Sequence, residues 1–346
     1  MTNVQKRRPG RSEAALRLFQ RLGTFDLARK LTPNLLTVLN YHRIDDPFRA
    51  GFDTFRPNVS ARPSSFAAQM DYVSQKYNVI SNAELAAFIK GQHQLPLRAA
   101  IITFDDGYYD NYTNAYPILK ARNLPAIIFL ATDFIETRKP FFWDLIAYSF
   151  FHTTKEQANL PRFGSQSWMD ESTREIVMQK FIEALKRMPD AEKQKLVGQL
   201  PSILGIDLSD DAFKNLMMSW SDARELSENG IELGAHTASH PILTRISPDD
   251  ASAELLRSRQ HIEAEIGKPI RSFAYPNGQS SDFNNEVMDR VQRAGFEIAF
   301  TLLPGPTRRA TVLKSPLAIR RIFFSHTDSF PRFAAKLVGL DRIPGR

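Results

Sequence analysis

The chain has 346 residues, 45 Lys and Arg against 38 Asp and Glu, a formal net charge of +7, 42% hydrophobic residues and no cysteine. Without cysteine there are no disulfides, zinc ribbons, iron–sulfur clusters or thiol nucleophiles, so any metal must be held by His, Asp or Glu. The basic balance admits an anionic partner. Positive residues are nevertheless spread out, clustering only at Lys6-Arg7-Arg8, Arg308-Arg309 and Arg320-Arg321, and no RNA-binding fingerprint is present; no nucleic-acid partner is expected. No continuous apolar segment follows the basic residues 1–10, so no signal peptide is expected. No stretch approaches the roughly 20 apolar residues that span a bilayer. The expected location is the cytoplasm, with peripheral contact at the inner face of an anionic membrane as a further option.

Residues 11–31 read as one helix, with Ala15, Leu18, Phe19 and Leu22 at helical spacing and Arg11, Arg17 and Arg21 between them. Such a basic amphipathic helix either packs on the main body, the commoner outcome, or lies on an anionic membrane. Residues 35–41 form the first predicted strand, ending at His42. Residues 64–77 read as helix, 78–80 as strand, and Asn82 as the N-cap of a helix through residue 90. An apolar strand at 99–102 leads into Thr103-Phe104-Asp105-Asp106-Gly107. A helix around 114–122 and a strong strand at 126–131 follow. The pattern then turns helix-rich between 141 and 218, with helices at 176–185 and 191–200, and reads as an inserted subdomain. Alternation resumes with a helix to residue 228, a strand at 231–233 and a helix at 248–266 capped by Ser247 and Gly267. A helix at 284–294, strands at 297–302 and 321–324, His326 and a helix at 331–340 complete the chain. Strands alternating with helices predict an α/β fold with a parallel sheet.

Three polar clusters fall just beyond predicted strands, where α/β folds keep their sites. In the first, Asp105 and Asp106 must point in different directions, because side chains alternate along a strand. One can bind a metal while its neighbour faces a water on that metal. In the second, Gly234-Ala235-His236-Thr237-Ala238-Ser239-His240-Pro241, two histidines four residues apart can be aimed at one point by a helical turn or a tight loop. The third, Phe273-Ala274-Tyr275-Pro276-Asn277-Gly278, is a Pro-Gly loop. Each has a plainer reading: Asp-Gly as turn chemistry, the histidines as satisfied structural groups. Trp143 and Trp220 could stack on sugars, but both sit in apolar, helix-like surroundings and read as core.

At these residues the chain resembles the NodB-type polysaccharide deacetylases, carbohydrate esterase family four. The Thr-Phe-Asp-Asp-Gly, His-Thr-x-x-His-Pro and Phe-x-Tyr-Pro-x-Gly segments are similar to that family's first three motifs, in order. The resemblance implies a distorted (β/α) barrel of fewer than eight units. It spans residues 35–140 and 219–330, with 1–34 as an N-terminal extension, 141–218 as a helical insertion and 331–346 as a terminal helix and tail. It also implies a hydrolase that removes N- or O-acetyl groups from sugars, usually N-acetylglucosamine units of an oligo- or polysaccharide. Carried over by position, Asp105 matches the catalytic base. Asp106, His236 and His240 match the ligands of one divalent metal, and the Asn277 backbone N–H matches the oxyanion donor, with Tyr275 beside it.

Three departures stand out. Ala274 occupies the place where the third motif often carries arginine, and Arg271 lies three residues earlier in the strand. The fourth motif's Asp and Trp have no match after Phe300. The fifth motif, which supplies the general acid, has only Phe324-Ser325-His326 as a loose counterpart. His326 is therefore the expected acid, with His42 as a second choice near the site. Zinc is the expected metal, although two histidines and a carboxylate also suit iron, cobalt or nickel. Two other readings remain: a metal-dependent hydrolase of small cyclic amides, and a non-catalytic glycan-binding relative.

Overall fold

The computed structural model describes residues 11–209 and 211–340. The Lys6-Arg7-Arg8 cluster and residues 341–346 of the expected tail lie outside the described residues. The sheet is built from β1 (Leu35–Tyr41), β2 (Asn78–Val79), β3 (Ala99–Phe104), β4 (Ala126–Leu130), β5 (Ile231–Ala235), β6 (Ser272–Ala274), β7 (Ile298–Phe300) and β8 (Ile322–Phe323). Every residue of β3 (Ala-Ala-Ile-Ile-Thr-Phe) and β4 (Ala-Ile-Ile-Phe-Leu) is buried. Continuous apolar runs are what a parallel sheet covered on both faces requires.

The strands run in the order β7-β6-β5-β4-β3-β1, with β8 on the far edge of β1 and β2 beside the start of β3. All these pairings are parallel. The two-residue strand Thr307–Arg308 joins the start of β1 antiparallel. The segment before β8 also reaches β7: Phe300 bridges Ile319, whose N–H donates to the Ala299 carbonyl. Three residues later Ile322 pairs with Leu39. One short stretch thus ties the last strand to the first and curls the sheet into a distorted (β/α) barrel.

Alternation feeds two cores. Val38, Ile101, Ile127 and Phe129 belong to one apolar cluster, and Leu39, Ile102, Ile128 and Leu130 to the other. Because the strands are parallel, their carboxyl ends share one rim, and the three polar clusters lie on it.

The N-terminal region is two helices rather than the one expected: α1 (Arg11–Arg21) and α2 (Thr24–Leu31). Gly23 separates them at φ 70°, a left-handed conformation that glycine adopts without steric cost. Leu16 and Phe25 bury against Ala334 and Ala335 of the terminal helix. Between β4 and β5 lie α3 (Phe142–His152), α4 (Glu171–Leu185) and α5 (Asp190–Leu204). This region also holds an antiparallel hairpin, Gln157–Leu160 with Gly164–Ser167, that sequence reading missed. Its strands are short and polar, so they carry little apolar period. The helix expected to be capped by Asn82 begins one residue earlier, where Ser81 and Glu84 form a capping box.

Candidate active site

Asp105 and Asp106 follow β3 at the rim, both almost fully buried. Asp105 points toward Asn40 and Arg321. Arg321, with no exposed surface, grips it with both arms: Nη1 donates to Oδ1 at 2.6 Å and Nη2 to Oδ2 at 2.8 Å. Asn40 Nδ2 donates to Oδ2 at 2.9 Å. Arg321 is itself anchored by donating Nε–H to the Thr301 carbonyl at 3.0 Å. Burial pushes the Asp105 carboxyl up, but the guanidinium, assisted by His236 and His42, more than offsets this and holds it well below the usual carboxylate range.

Asp106 turns the other way, with φ 78°. Both of its carboxylate oxygens are buried and have no hydrogen-bond partner among the described residues. Burial, followed by the charges of Asp105 and Asp144, pushes its pKa well above the ordinary value. His236 and His240 face it, each Nε2 3.5 Å from Asp106 Oδ1 and 3.2 Å from the other. His236 Nδ1 lies 2.7 Å from the Ala274 carbonyl, which can only accept. Nδ1 therefore carries the hydrogen and Nε2 presents its lone pair to Asp106. Burial lowers the pKa of both imidazoles, and His236 and Lys193 push His240 lower still.

The histidine loop is pinned by Glu254, whose Oε2 accepts from the Ala238 and Ser239 N–H groups at 2.8 Å each. Thr237, at φ 64°, gives its Oγ1 to the His240 N–H at 3.1 Å. His240 and Asn277 are left-handed too, at φ 60° each. With Asp106, these residues make four of the eight described non-glycine positions in that region. Strain of this kind gathers where a site over-determines its backbone.

The residues enclose a cavity of about 230 Å³, lined by His42, Asp105, Asp106, His236, His240, Asn277, Trp143, Lys186 and Lys193 among others. His42 Nε2 lies 4.0 Å from Asp105 Oδ2, and the Nδ1 of the same ring is buried without a partner among the described residues. Burial lowers its pKa to about 4, with Asp105 opposing. Asn277 is positioned by Asp282, which accepts from its Nδ2 at 2.5 Å and from the Gln279 N–H at 2.9 Å.

Two expected site residues stand elsewhere. His326 does not line the cavity; its Nδ1 lies 3.0 Å from the Val59 carbonyl and its ring edges against Phe48. Tyr275 is fully buried, donates its hydroxyl hydrogen to the Leu317 carbonyl at 2.9 Å and stacks on Phe283. It packs behind the loop instead of meeting a substrate. Trp143, read from sequence as core, lines the cavity with its ring edge-on to His240 at 5.1 Å. Its Nε1–H donates to Tyr108 Oη, and Tyr108 donates to the buried Asp144 at 2.7 Å. Trp220 packs against His261, away from the cavity.

Sequence reading also missed Arg321, which acts on Asp105 across 216 residues of chain. The available signal was a charged residue inside the strand-like run Ala318-Ile319-Arg320-Arg321-Ile322-Phe323. A strand that turns alternate residues inward must find a buried anion for such a charge.

A parallel (β/α) barrel with a His₂-carboxylate cluster beside a second, clamped carboxylate defines a protein with a rim site suited to one metal ion. The family profile described as polysaccharide deacetylase matches residues 93–299, more than half of the chain. The chain belongs to the polysaccharide deacetylase family, hydrolases of carbon–nitrogen bonds. It is 22% identical over 311 residues to the poly-β-1,6-N-acetyl-D-glucosamine N-deacetylase of Escherichia coli (strain K12), covering 88% of this chain and 39% of that one. The chain thus spans about two-fifths of that relative's length. Among solved structures it superposes on the Streptococcus pyogenes deacetylase PplD in complex with acetate, with TM-score 0.56 and 18% identity, covering 89% and 99% of the two chains. IcaB from Ammonifex degensii gives TM-score 0.56 and 19% identity, covering 88% and 97%.

Proposed function

We propose that the chain hydrolyses the acetamide of N-acetylglucosamine-type units in a cell-envelope or exported polysaccharide, or in its precursor, with a divalent metal held by Asp106, His236 and His240. The observation that carries this reading is Asp106, a buried carboxylate whose two oxygens meet no donor. Such a group is costly unless a cation shares its pocket. Ligand atoms 2.0–2.2 Å from an ion at tetrahedral angles stand about 3.3–3.6 Å apart, and the observed separations of 3.2–3.5 Å fit that spacing. Zinc suits this donor set, as do iron, cobalt and nickel. An ion there supplies a Lewis acid for the acetyl oxygen and lowers the pKa of a water to about 7.

The chain's own residues then handle protons and charge. Asp105, kept ionised and aimed by Arg321 and Asn40, accepts a proton from the attacking water. The Asn277 N–H, at the cavity wall, donates to the oxyanion as it forms. His42 Nε2 lies 4.0 Å from Asp105 Oδ2 on the wall of the same cavity, a gap that one water can bridge. In the proposed step the proton passes through that water to His42, which hands it to the leaving amine. This makes His42, in place of His326, the proposed donor. The family and the Escherichia coli relative's name support an N-acetylated sugar as substrate. The cavity is below the roughly 300–1,000 Å³ of ordinary ligand pockets, which favours entry of a single sugar unit.

Acetate release from N-acetylated oligosaccharides, measured before and after the metal is stripped and restored, tests the reading. Loss and recovery of turnover is the expected result. Release that persists once elemental analysis finds no metal on the protein overturns it.

A peripheral location at an anionic membrane is a second proposal, favoured by one observation. Leu18, Leu22, Leu27 and Leu31 of the α1–α2 region are 54–72% exposed, and Arg17, Arg21 and Lys30 are exposed on the same two helices. Apolar residues flanked by basic ones suit an anionic bilayer surface. Vesicle sedimentation of the full chain should show binding to anionic vesicles that is reduced for the Leu18→Ser/Leu22→Ser variant. Equal recovery with neutral and anionic vesicles counts against it.

A further inference from the structure

The insertion between β4 and β5 does more than cover the barrel mouth: it delivers two ammonium groups to the cavity wall. Lys186 follows α4 and Lys193 lies in the first turns of α5, so one short connection supplies both. Lys193 is 5% exposed and its Nζ stands 4.8 Å from the centre of the Phe142 ring. Each lysine has an acidic residue three positions before it, Glu183 at 2.7 Å and Asp190 in contact. Neither of these acids is among the residues lining the cavity. The lysines therefore face the cavity and the acids stand behind them.

The remaining charges of the cavity are already matched. Arg321 balances Asp105, and Asp106 faces the position a divalent ion would fill. Neither lysine is paired with a cavity carboxylate: each holds one acid behind the wall, and its ammonium keeps further N–H donors for a group in the cavity. Such a wall repels a free amine on a neighbouring, already deacetylated sugar and attracts an anion.

We propose that Lys186 and Lys193 form an anion-binding subsite, so that the preferred substrate is an N-acetylated sugar bearing a carboxylate or a phosphate on the reacting unit or the one next to it. This rests on the deacetylase reading above and names the substrate class of that same site. A carboxylate would come from a uronic acid in an acidic polymer, and a phosphate from a sugar phosphate or a diphosphate-linked precursor.

The test compares kcat/KM for acetate release from three probes by the metal-loaded full chain. These are a neutral N-acetylglucosamine oligosaccharide, an oligosaccharide alternating N-acetylglucosamine with glucuronic acid, and N-acetylglucosamine 1-phosphate. One charge-assisted hydrogen bond per lysine predicts a preference for an acidic probe of about tenfold or more, weakened by added salt. In the Lys186→Met/Lys193→Met variant the acidic-to-neutral ratio should fall toward unity, and Lys186→Glu should invert it. The acidic probe that wins identifies the source of the anion. Binding of the same acidic probes, followed by the fluorescence of Trp143 in the cavity wall, gives a readout independent of turnover.

Equal kcat/KM for neutral and acidic probes, or an acidic preference that survives the double substitution, overturns the subsite while leaving the deacetylase reading intact. Lysine-dependent binding of an acidic probe with no acetate released from any probe sinks the deacetylase reading and keeps the subsite. If the double variant is less stable, as loss of the pairs with Glu183 and Asp190 would cause, Lys186→Gln alone supplies the ratio, because that pair is the more exposed.

Discussion

Replacing Arg321 by methionine removes the guanidinium while nearly keeping its volume, and two consequences can be worked out in advance. The first is stability. Arg321 and Asp105 form a bidentate pair with essentially no solvent exposure, and deleting one partner of such a pair costs about 3–5 kcal/mol. The second is a change of sign with pH. In the wild type the Asp105 pKa is depressed, so its contribution is present above the unfolded value of about 3.9 and is lost as pH falls through the folded one. Without Arg321, burial, the largest single influence on this carboxyl, is set against the weaker pull of His236 and His42 and raises the pKa. The folded state then holds the proton more tightly than the unfolded chain, and stability falls as pH rises above about 3.9. The gap between variant and wild type should therefore already be present at pH 4 and widen toward pH 7. Urea unfolding at the two pH values reads this directly. Acetate release should drop by on the order of 10²-fold, the usual cost of a displaced catalytic group, and Arg321→Lys should recover part of the stability but little of the rate. A variant destabilised equally at both pH values, with wild-type turnover, would refute the assignment of Arg321 as the group that positions and ionises Asp105.

Other outcomes follow from the same geometry. His42→Ala should lower deacetylation by about 10²–10⁴-fold, whereas His326→Ala should change it by less than about tenfold, because His326 is engaged with Val59 outside the cavity; kcat for the two variants decides between them. Burial depresses the His42 pKa from 6.5 to about 4. The unfolded chain therefore takes the proton first, and stability should decline by up to ~3 kcal/mol as pH falls from about 6.5 to about 4. His42→Gln should flatten that decline in urea unfolding of the metal-free protein. A methyl group on Gly234 would stand 2.5 Å from the Phe129 ring and 2.9 Å from Ser272 Oγ. Gly234→Ala should thus cost about 1–3 kcal/mol and weaken metal binding through the shift of His236 two residues on, as titration calorimetry would detect. Saturating metal at about 100 times its dissociation constant should stabilise the wild type by about 2.7 kcal/mol, and His240→Ala should erase the gain in thermal unfolding.

The alternation of strands and helices was legible in the sequence because a parallel barrel needs uninterrupted apolar strands, and 99–104 and 126–130 are of that kind. Asp105, Asp106, His236 and His240 were legible because each pair sits at a strand end within a few residues. What escaped was of two sorts. Arg321 and Asn40 meet Asp105 through side chains that neighbour it only once the sheet has curled, and a one-dimensional pattern does not carry that adjacency. His326 sits at a strand end like His42, yet one turned outward to Val59 and the other lines the cavity, a difference set by backbone direction after the strand. The hairpin in the insertion and the break at Gly23 are local events, the first too polar and the second too short to interrupt a periodic reading.

The stretch from Ile319 to Phe323 joins the last strand to the first and carries Arg321. A growing polypeptide in which these residues have not yet emerged already contains Asp105, Asp106 and both histidines, but has neither the seam nor the counter-ion. Ring completion and the clamping of Asp105 are therefore one event. A chain that has not closed its ring thus lacks the guanidinium that fixes Asp105, and on the proposed reading it cannot yet hydrolyse a sugar amide.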